Sequence, residues 1–191
     1  LEMISLVAEL EELKADPTRR ARGYIIESKI DKGRGPVASA IVKSGVLRVG
    51  QVIITDTTWG RIRAMYDGKG SQVEEAGPST PVEIVGLSDL PNAGDVFLVV
   101  DDEKTAKHIV EQRQLARREH AAGSTSRMTL EELLKAQEDE KRELKLILKS
   151  DVQGSLEAIL QALGKIKSDE VKLEIIHSGV GAVIESDVML A

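Results

Sequence analysis

From Arg22 to Val100 the apolar residues recur at every second position, in six runs separated by turn-forming clusters. This alternation constrains the fold more than any other feature. The runs YIIESKI, VASAIVK, QVIIT, TWGRIRAM, TPVEIVG and DVFLVV are rich in β-branched residues, whereas KGRGP, KSGVLRVG, DGKG and EAGPS between them hold glycine, proline and polar residues. Strands at spacings of roughly 10–15 residues predict a small antiparallel barrel rather than a βαβ sheet. The chain has 191 residues but only one Trp, two Tyr and one Phe. It is long enough for one or two domains, and their cores must be built from Ile, Val, Leu and Ala.

The period changes on either side of this block. Met3, Leu6, Val7, Leu10 and Leu13 have helical spacing within residues 1–15, and Asp16-Pro17 is expected to end that helix because the residue before proline is pushed from the α region. After Asp102, EKTAKHIVEQRQLARREHAA and TLEELLKAQEDEKREL read as two charged helices broken by GSTSR. Their large apolar residues (Ile109, Val110, Leu115, Leu130, Leu133, Leu134) are widely spread, so they are expected to bury little and to act as a connector. From Glu143 on, LKLILK reads as a strand and DVQGSLEAILQALGKI as a helix with Val152, Leu156, Ile159, Leu160 and Leu163 on one face. VKLEIIHSG follows as a second strand. That order predicts a parallel pair with a helical crossover. ESDVMLA reads as the first turns of a further helix, so the α/β domain is expected to be cut short; Leu1, in mid-pattern without a Met, likewise suggests a piece of a longer chain.

Several chemistries lack the residues they need. With no cysteine there are no disulfides, thiolate metal sites or thiol nucleophiles, which fits a reducing, cytoplasmic setting. No run reaches the length of a membrane span, and no basic-then-apolar leader opens the chain. A phosphate loop requires a hydroxyl after Gly-Lys, but Gly68-Lys69 and Gly164-Lys165 are followed by Gly70 and Ile166. Two Asp-x-x-Gly matches, Asp67–Gly70 and Asp151–Gly154, read as a hairpin turn and a helix N-cap. The sole asparagine, Asn92, precedes Ala93 and cannot begin a base-recognition box. HSGVGAV supplies Gly179 and Gly181 but Ile184 where a dinucleotide loop needs its third glycine. His108, His120 and His177 have neither metal-pair nor triad spacing. No catalytic or metal-binding residues are assigned.

Charge is segregated. The net charge of −6 divides into −4 over residues 1–18, +7 over 19–69, −8 over 70–140 and −1 over 141–191. The basic block suits phosphate contact; a solvated surface with no partner is the equal alternative. Within it Arg61 and Arg63 share a strand face, and Lys29, Lys32 and Arg34 gather at one turn. Scarce aromatics argue against base stacking, leaving backbone or shape recognition of structured RNA open.

GRGPVASAIVKSGVLRVGQVI resembles the second-domain barrel of translational GTPases such as elongation factor Tu, in which R-G-x-V precedes V-x-x-G-x-L-x-x-G. Arg34, Gly35 and Val37, then Val42, Gly45, Leu47 and Gly50, occupy those positions. WGRIRAMYDGKG, AGPSTPVEIVGLSDLPNAGDVFLVVDDEKTA and the stretch from LILKSDVQGSLEAILQAL to the end resemble the bacterial-type translation initiation factor 2 family. The resemblance implies the closing helix of a GTPase domain over 1–18, a domain II β-barrel over 19–101, a helical connector over 102–142 and the start of an α/β domain over 143–191. It implies a factor that places initiator formyl-methionyl-tRNA on the small ribosomal subunit and promotes GTP-dependent joining of the large one. GTP and Mg2+ would belong to a GTPase domain absent here. The initiator tRNA and the large subunit would be met through the full-length factor, and the present chain would be a non-enzymatic monomer without cofactor. Its expected role is docking on small-subunit (16S-type) rRNA through Lys32, Arg34, Arg61 and Arg63, together with interdomain coupling. The rival is a mechanical spacer with no ribosome affinity of its own.

Overall fold

The computed structural model describes residues 1–123, 142–166 and 171–190, with side chains to Arg117 in the first segment and from Glu143 in the second. The predicted alternation becomes β1 (Arg22–Asp31), β2 (Gly35–Ser44), β4 (Val52–Ile54), β5 (Trp59–Tyr66), β8 (Pro81–Leu87) and β9 (Val96–Val100). Of three two-residue strands, β3 (Leu47–Arg48) and β7 (Glu75–Ala76) lie inside stretches that read as turns, and β6 (Gln72–Val73) lies between two such stretches. The strands hydrogen-bond in the order β4-β9-β1-β2-β8-β5-β6, and a further β4–β5 pairing closes the sheet into a barrel. All of its pairings are antiparallel.

Every second residue points inward, as the pleat requires. Ile25, Ala38, Ala40, Val42, Ile53, Ile62, Met65, Ile84 and Phe97 fill the interior almost without exposure. The aliphatic core expected from composition is thus plugged by one aromatic ring. Segment 16–21 is tied across β2: the Gly45 N–H donates to the Asp16 carbonyl at 2.8 Å. Gly45 has φ +74°, and a Cβ there would lie 2.5 Å from the Arg19 carbonyl oxygen and 2.6 Å from Ala21 N and Cα. The close approach therefore requires glycine.

Outside the barrel, α1 (Glu2–Leu10) is shorter than its apolar pattern; Met3, Leu6, Val7, Leu10 and Leu13 are all exposed. Helix α2 (Glu103–Gly123) departs from the expectation that the connector buries little. Ala106 and Val110 are 0% and 3% exposed, packed on Val52 and Ile54 with Trp59, Val100 and Ile109 around them. Small residues one turn apart let the helix approach β4 and β5 closely. Polar contacts finish the docking. Arg113 donates to the Thr55 carbonyl at 2.9 Å, Gln114 to the Thr57 carbonyl at 3.0 Å, and Arg117 pairs with Asp56. The expected GSTSR break and most of the second charged stretch lie outside the described residues, as does the His120 side chain.

The last unit matches its predicted order. Strands β10 (Arg142–Ser150) and β11 (Val171–Val180) pair in parallel, with α3 (Gln153–Gly164) in the crossover. Leu156 is the buried member of the predicted α3 face, whereas Ile159 is 41% exposed. Asp151 does not cap α3; the N-cap is Val152, whose side chain forms no capping bond. Helix α4 (Glu185–Leu190) follows, and its buried Asp187 pairs with Lys149 at 3.0 Å and accepts the Ile184 N–H at 2.9 Å. A lone backbone bridge from Lys29 to Val152 joins this unit to the barrel.

Candidate nucleic-acid interface

The turn between β1 and β2 is organised by one carboxylate. Asp31 Oδ1 accepts the backbone N–H groups of Gly33 at 2.9 Å and Arg34 at 3.0 Å, and these bonds hold its carboxyl below the usual range. The Arg34 guanidinium bonds back to Asp31 at 3.2 Å, reaches Glu83 of β8 at 3.3 Å, and lies 5.2 Å above the Tyr66 ring. Asp31, ahead of Glu83, raises the Arg34 pKa further. Lys29 takes the other Glu83 oxygen at 2.9 Å and, more than Arg34, lowers the Glu83 pKa. Lys29 and Arg34 therefore face two acids. Lys32, exposed at the tip, has no side-chain ion pair or hydrogen bond among the described residues.

Arg61 and Arg63 do share the exposed face of β5, with Ile62 buried between them. A bulge sets their direction: Gly60 opposes Leu87 and Ala64 opposes Val85, so β5 has two more residues than β8 in this stretch. Gly86 sits opposite with φ +122°, and a Cβ there would meet the Arg61 carbonyl oxygen at 2.1 Å. The two arginines differ in engagement. Arg61 Nε donates to Glu103 of α2 at 2.6 Å and an Nη to the Gly50 carbonyl at 3.0 Å, whereas Arg63 has no side-chain partner among the described residues. Because Val37 pairs with Val85 and Val85 with Ala64, the Arg34 turn and Arg63 lie at one end of the sheet, on either side of β8. Two strand spacings separate the backbones of Val37 and Ala64 by roughly 10 Å. Arg61 is joined to α2 through Glu103.

Two features escaped sequence reasoning. Glu83 gave no sign that it would meet Lys29 and Arg34, since the partners lie 54 and 49 residues away. Both tyrosines lie beneath cations, Tyr66 under Arg34 and Tyr24 under Lys43 at 5.4 Å, and Lys43 is the main cause of a lowered Tyr24 pKa. For Tyr24 and Lys43 an outward aromatic beside an outward cation on the neighbouring strand was the available signal, whereas Arg34 lies in a turn and β5 is not next to β2.

Nucleotide chemistry finds no support in the local geometry. Asp67 spends its carboxylate on the N–H groups of Lys69 and Ser71 at 2.8 and 2.9 Å, closing the β5–β6 hairpin. Among the described residues no cluster of three His, Asp or Glu could hold a metal ion. No described helix is long and apolar enough to cross a membrane.

Comparison with known proteins places this geometry. The family model Elongation factor G domain 2 matches residues 20–100, the barrel, and Translation-initiation factor 2 matches residues 119–191. Translation initiation factor IF-2 of Carboxydothermus hydrogenoformans is 54% identical over the whole of this chain. The chain is homologous to bacterial translation initiation factor 2 along its full length. The IF-2 proteins of Pelotomaculum thermopropionicum and Clostridium novyi are each 55% identical, again over 100% of this chain. The chain spans 23%, 20% and 28% of these three IF-2 relatives. A crystal structure of GDP-bound aIF5B from Aeropyrum pernix aligns with 98% of the chain and 31% of its own, at 22% identity and a TM-score of 0.48. The barrel over 22–100 is thus of the translational-GTPase second-domain type, in a segment of translation initiation factor 2 sequence.

Proposed function

We propose that this segment is the ribosome-docking and coupling part of a translation initiation factor 2. The barrel meets phosphates of small-subunit rRNA through the end of the sheet that carries Lys32 and Arg63. The carrying observation is that these two exposed cations lack side-chain partners among the described residues, whereas Arg34 and Arg61 are already bonded to acids. A free cation releases counterions on meeting a phosphate; a paired one must first give up its carboxylate. Lys32 and Arg63 are therefore the stronger contacts, with Arg34 and Arg61 contributing after exchange of partner. The four segments 1–18, 19–101, 102–142 and 143–191, a monomeric chain without nucleotide turnover, and GTP, Mg2+ and initiator tRNA held by other parts of the factor complete the reading. Placement of initiator tRNA and subunit joining belong to the whole factor.

Sedimentation of the chain with purified small subunits over a salt series tests this. Lys32→Ala/Arg63→Ala should weaken binding and reduce the slope of log K against log salt by about 1.4–1.8, since each phosphate contact contributes about 0.7–0.9. An unchanged slope would remove both residues from the interface. The spacer reading has its own support in the packing of α2 on β4 and β5 and in the Lys29–Val152 bridge, both of which transmit force without rRNA. Absence of binding even at low salt would favour it.

A further inference from the structure

Arg61 serves two surfaces at once. On β5 it belongs to the exposed basic face with Arg63, yet its guanidinium is bonded to Glu103 in the first turn of α2. Glu103 follows Asp101 and Asp102, so three consecutive acids lead into α2, and Glu103 is the one that reaches that face. Asp102 accepts the Thr105 N–H at 2.6 Å as the helix cap, and Asp101 pairs with Arg20 at 2.9 Å. Farther along, the helix is held by Arg113, Gln114 and Arg117 on the 55–57 turn. The buried contact between these two polar ends is confined to Ala106 and Val110, with Trp59 at its edge.

We propose that α2 is an electrostatic latch on the barrel: its docking and the binding of a polyanion at the Arg61–Arg63 face oppose one another. The inference rests on the phosphate-docking reading above. A guanidinium fork that holds a carboxylate holds a phosphate by the same geometry, so Glu103 and a backbone phosphate compete for one group. When the phosphate takes Arg61, α2 loses the bond that holds its first residue to β5, and the released Glu103 carboxylate repels the incoming anion. Linkage makes the effect reciprocal, so a docked α2 weakens polyanion binding by the factor by which the polyanion weakens docking. The outcome is a signal sent from the barrel surface into the helix that leads toward the α/β unit.

The single tryptophan, Trp59, lies at the α2 contact and reports the latch directly. The whole chain is titrated with a fluorescently labelled RNA duplex of generic sequence; binding is followed by anisotropy and docking by Trp59 emission and acrylamide quenching. Saturating RNA should shift Trp59 emission to the red and increase quenching. Glu103→Gln should bind the duplex roughly 3–5-fold more tightly. Glu111→Gln, which removes the same charge from α2 but pairs only with Lys107, should change affinity much less. Absence of anisotropy change at low salt overturns the phosphate reading and the latch with it. RNA binding with Trp59 unmoved, or equal effects of the two glutamate variants, overturns the latch alone.

Discussion

Gly45→Ala is expected to unfold the barrel far more readily than Gly50→Ala, although both glycines lie in the left-handed region, at φ +74° and +88°. Either alanine should pay roughly 1–2 kcal/mol for that backbone conformation. At Gly50 nothing lies within 4 Å of the new methyl, so the conformational term stands alone. At Gly45 the methyl would sit 2.5 Å from the Arg19 carbonyl oxygen, so strand and segment must separate by at least about 0.5 Å to reach even 3.0 Å. That separation strains the Gly45-to-Asp16 hydrogen bond, worth about 1 kcal/mol, and overpacks a site where such insertions typically cost about 1–3 kcal/mol. The expected loss is then about 3–6 kcal/mol for Gly45→Ala against about 1–2 for Gly50→Ala. Total stabilities of such domains run to about 5–15 kcal/mol. Urea unfolding followed by far-UV circular dichroism and Trp59 emission measures it. With an m-value of about 1 kcal/mol/M, the two midpoints should differ by roughly 2 M or more. Coincident midpoints would refute the claim that the 16–21 crossing, rather than the turn alone, demands glycine.

Two further outcomes concern α2 and the β1–β2 turn. Val110→Asp removes a burial worth about 2 kcal/mol and places a charge against Val52 and Ile54, so α2 should detach and Trp59 emission move to the red while barrel circular dichroism persists; an unshifted emission would contradict the packing. Asp31 and Glu83 have folded pKa values below their ordinary 3.8 and 4.5. Their contribution is therefore present above those values and is lost as pH falls through the lower folded ones. Hydrogen exchange at the Gly33 and Arg34 amides should accelerate below about pH 4 relative to that at Ile25, and equal acceleration at all three would rule out local loosening.

The barrel was legible because alternation over six runs survives into the structure almost residue for residue. The same clarity hid β3 and β7. KSGVLRVG carries two glycines that do turn the chain, and nothing local announces that Leu47 and Arg48 between them pair with Ala76 and Glu75. Helix α2 was misjudged because its buried face uses Ala106 and Val110, whose small side chains yield a weak hydrophobic pattern while permitting a close approach. The candidate interface was half legible. Alternation put Arg61 and Arg63 on one exposed face, but that Arg61 is paired and Arg34 is paired depends on Glu103 and Glu83 respectively, which only the folded chain brings near. Asp151 looked like a helix cap by residue type; the backbone begins α3 one residue later, at a position where the side chain cannot cap.

The barrel closes through β9, and chain order gives that closure a timing. Strand β9 lies between β4 and β1, joining Ile54 to Leu98 and Arg22 to Leu98, and it carries Phe97, the only phenylalanine, into the centre of the core. During synthesis every other strand of the barrel precedes it. Until Val100 has left the ribosomal tunnel, β1 and β4 each present an unpaired edge and the interior lacks its largest side chain. A nascent chain stalled anywhere before that point is an open sheet, exposed to edge-to-edge association, whatever the stability of the finished barrel. Completion of β9 converts it at one stroke into a cylinder whose β1 and β4 edges are joined.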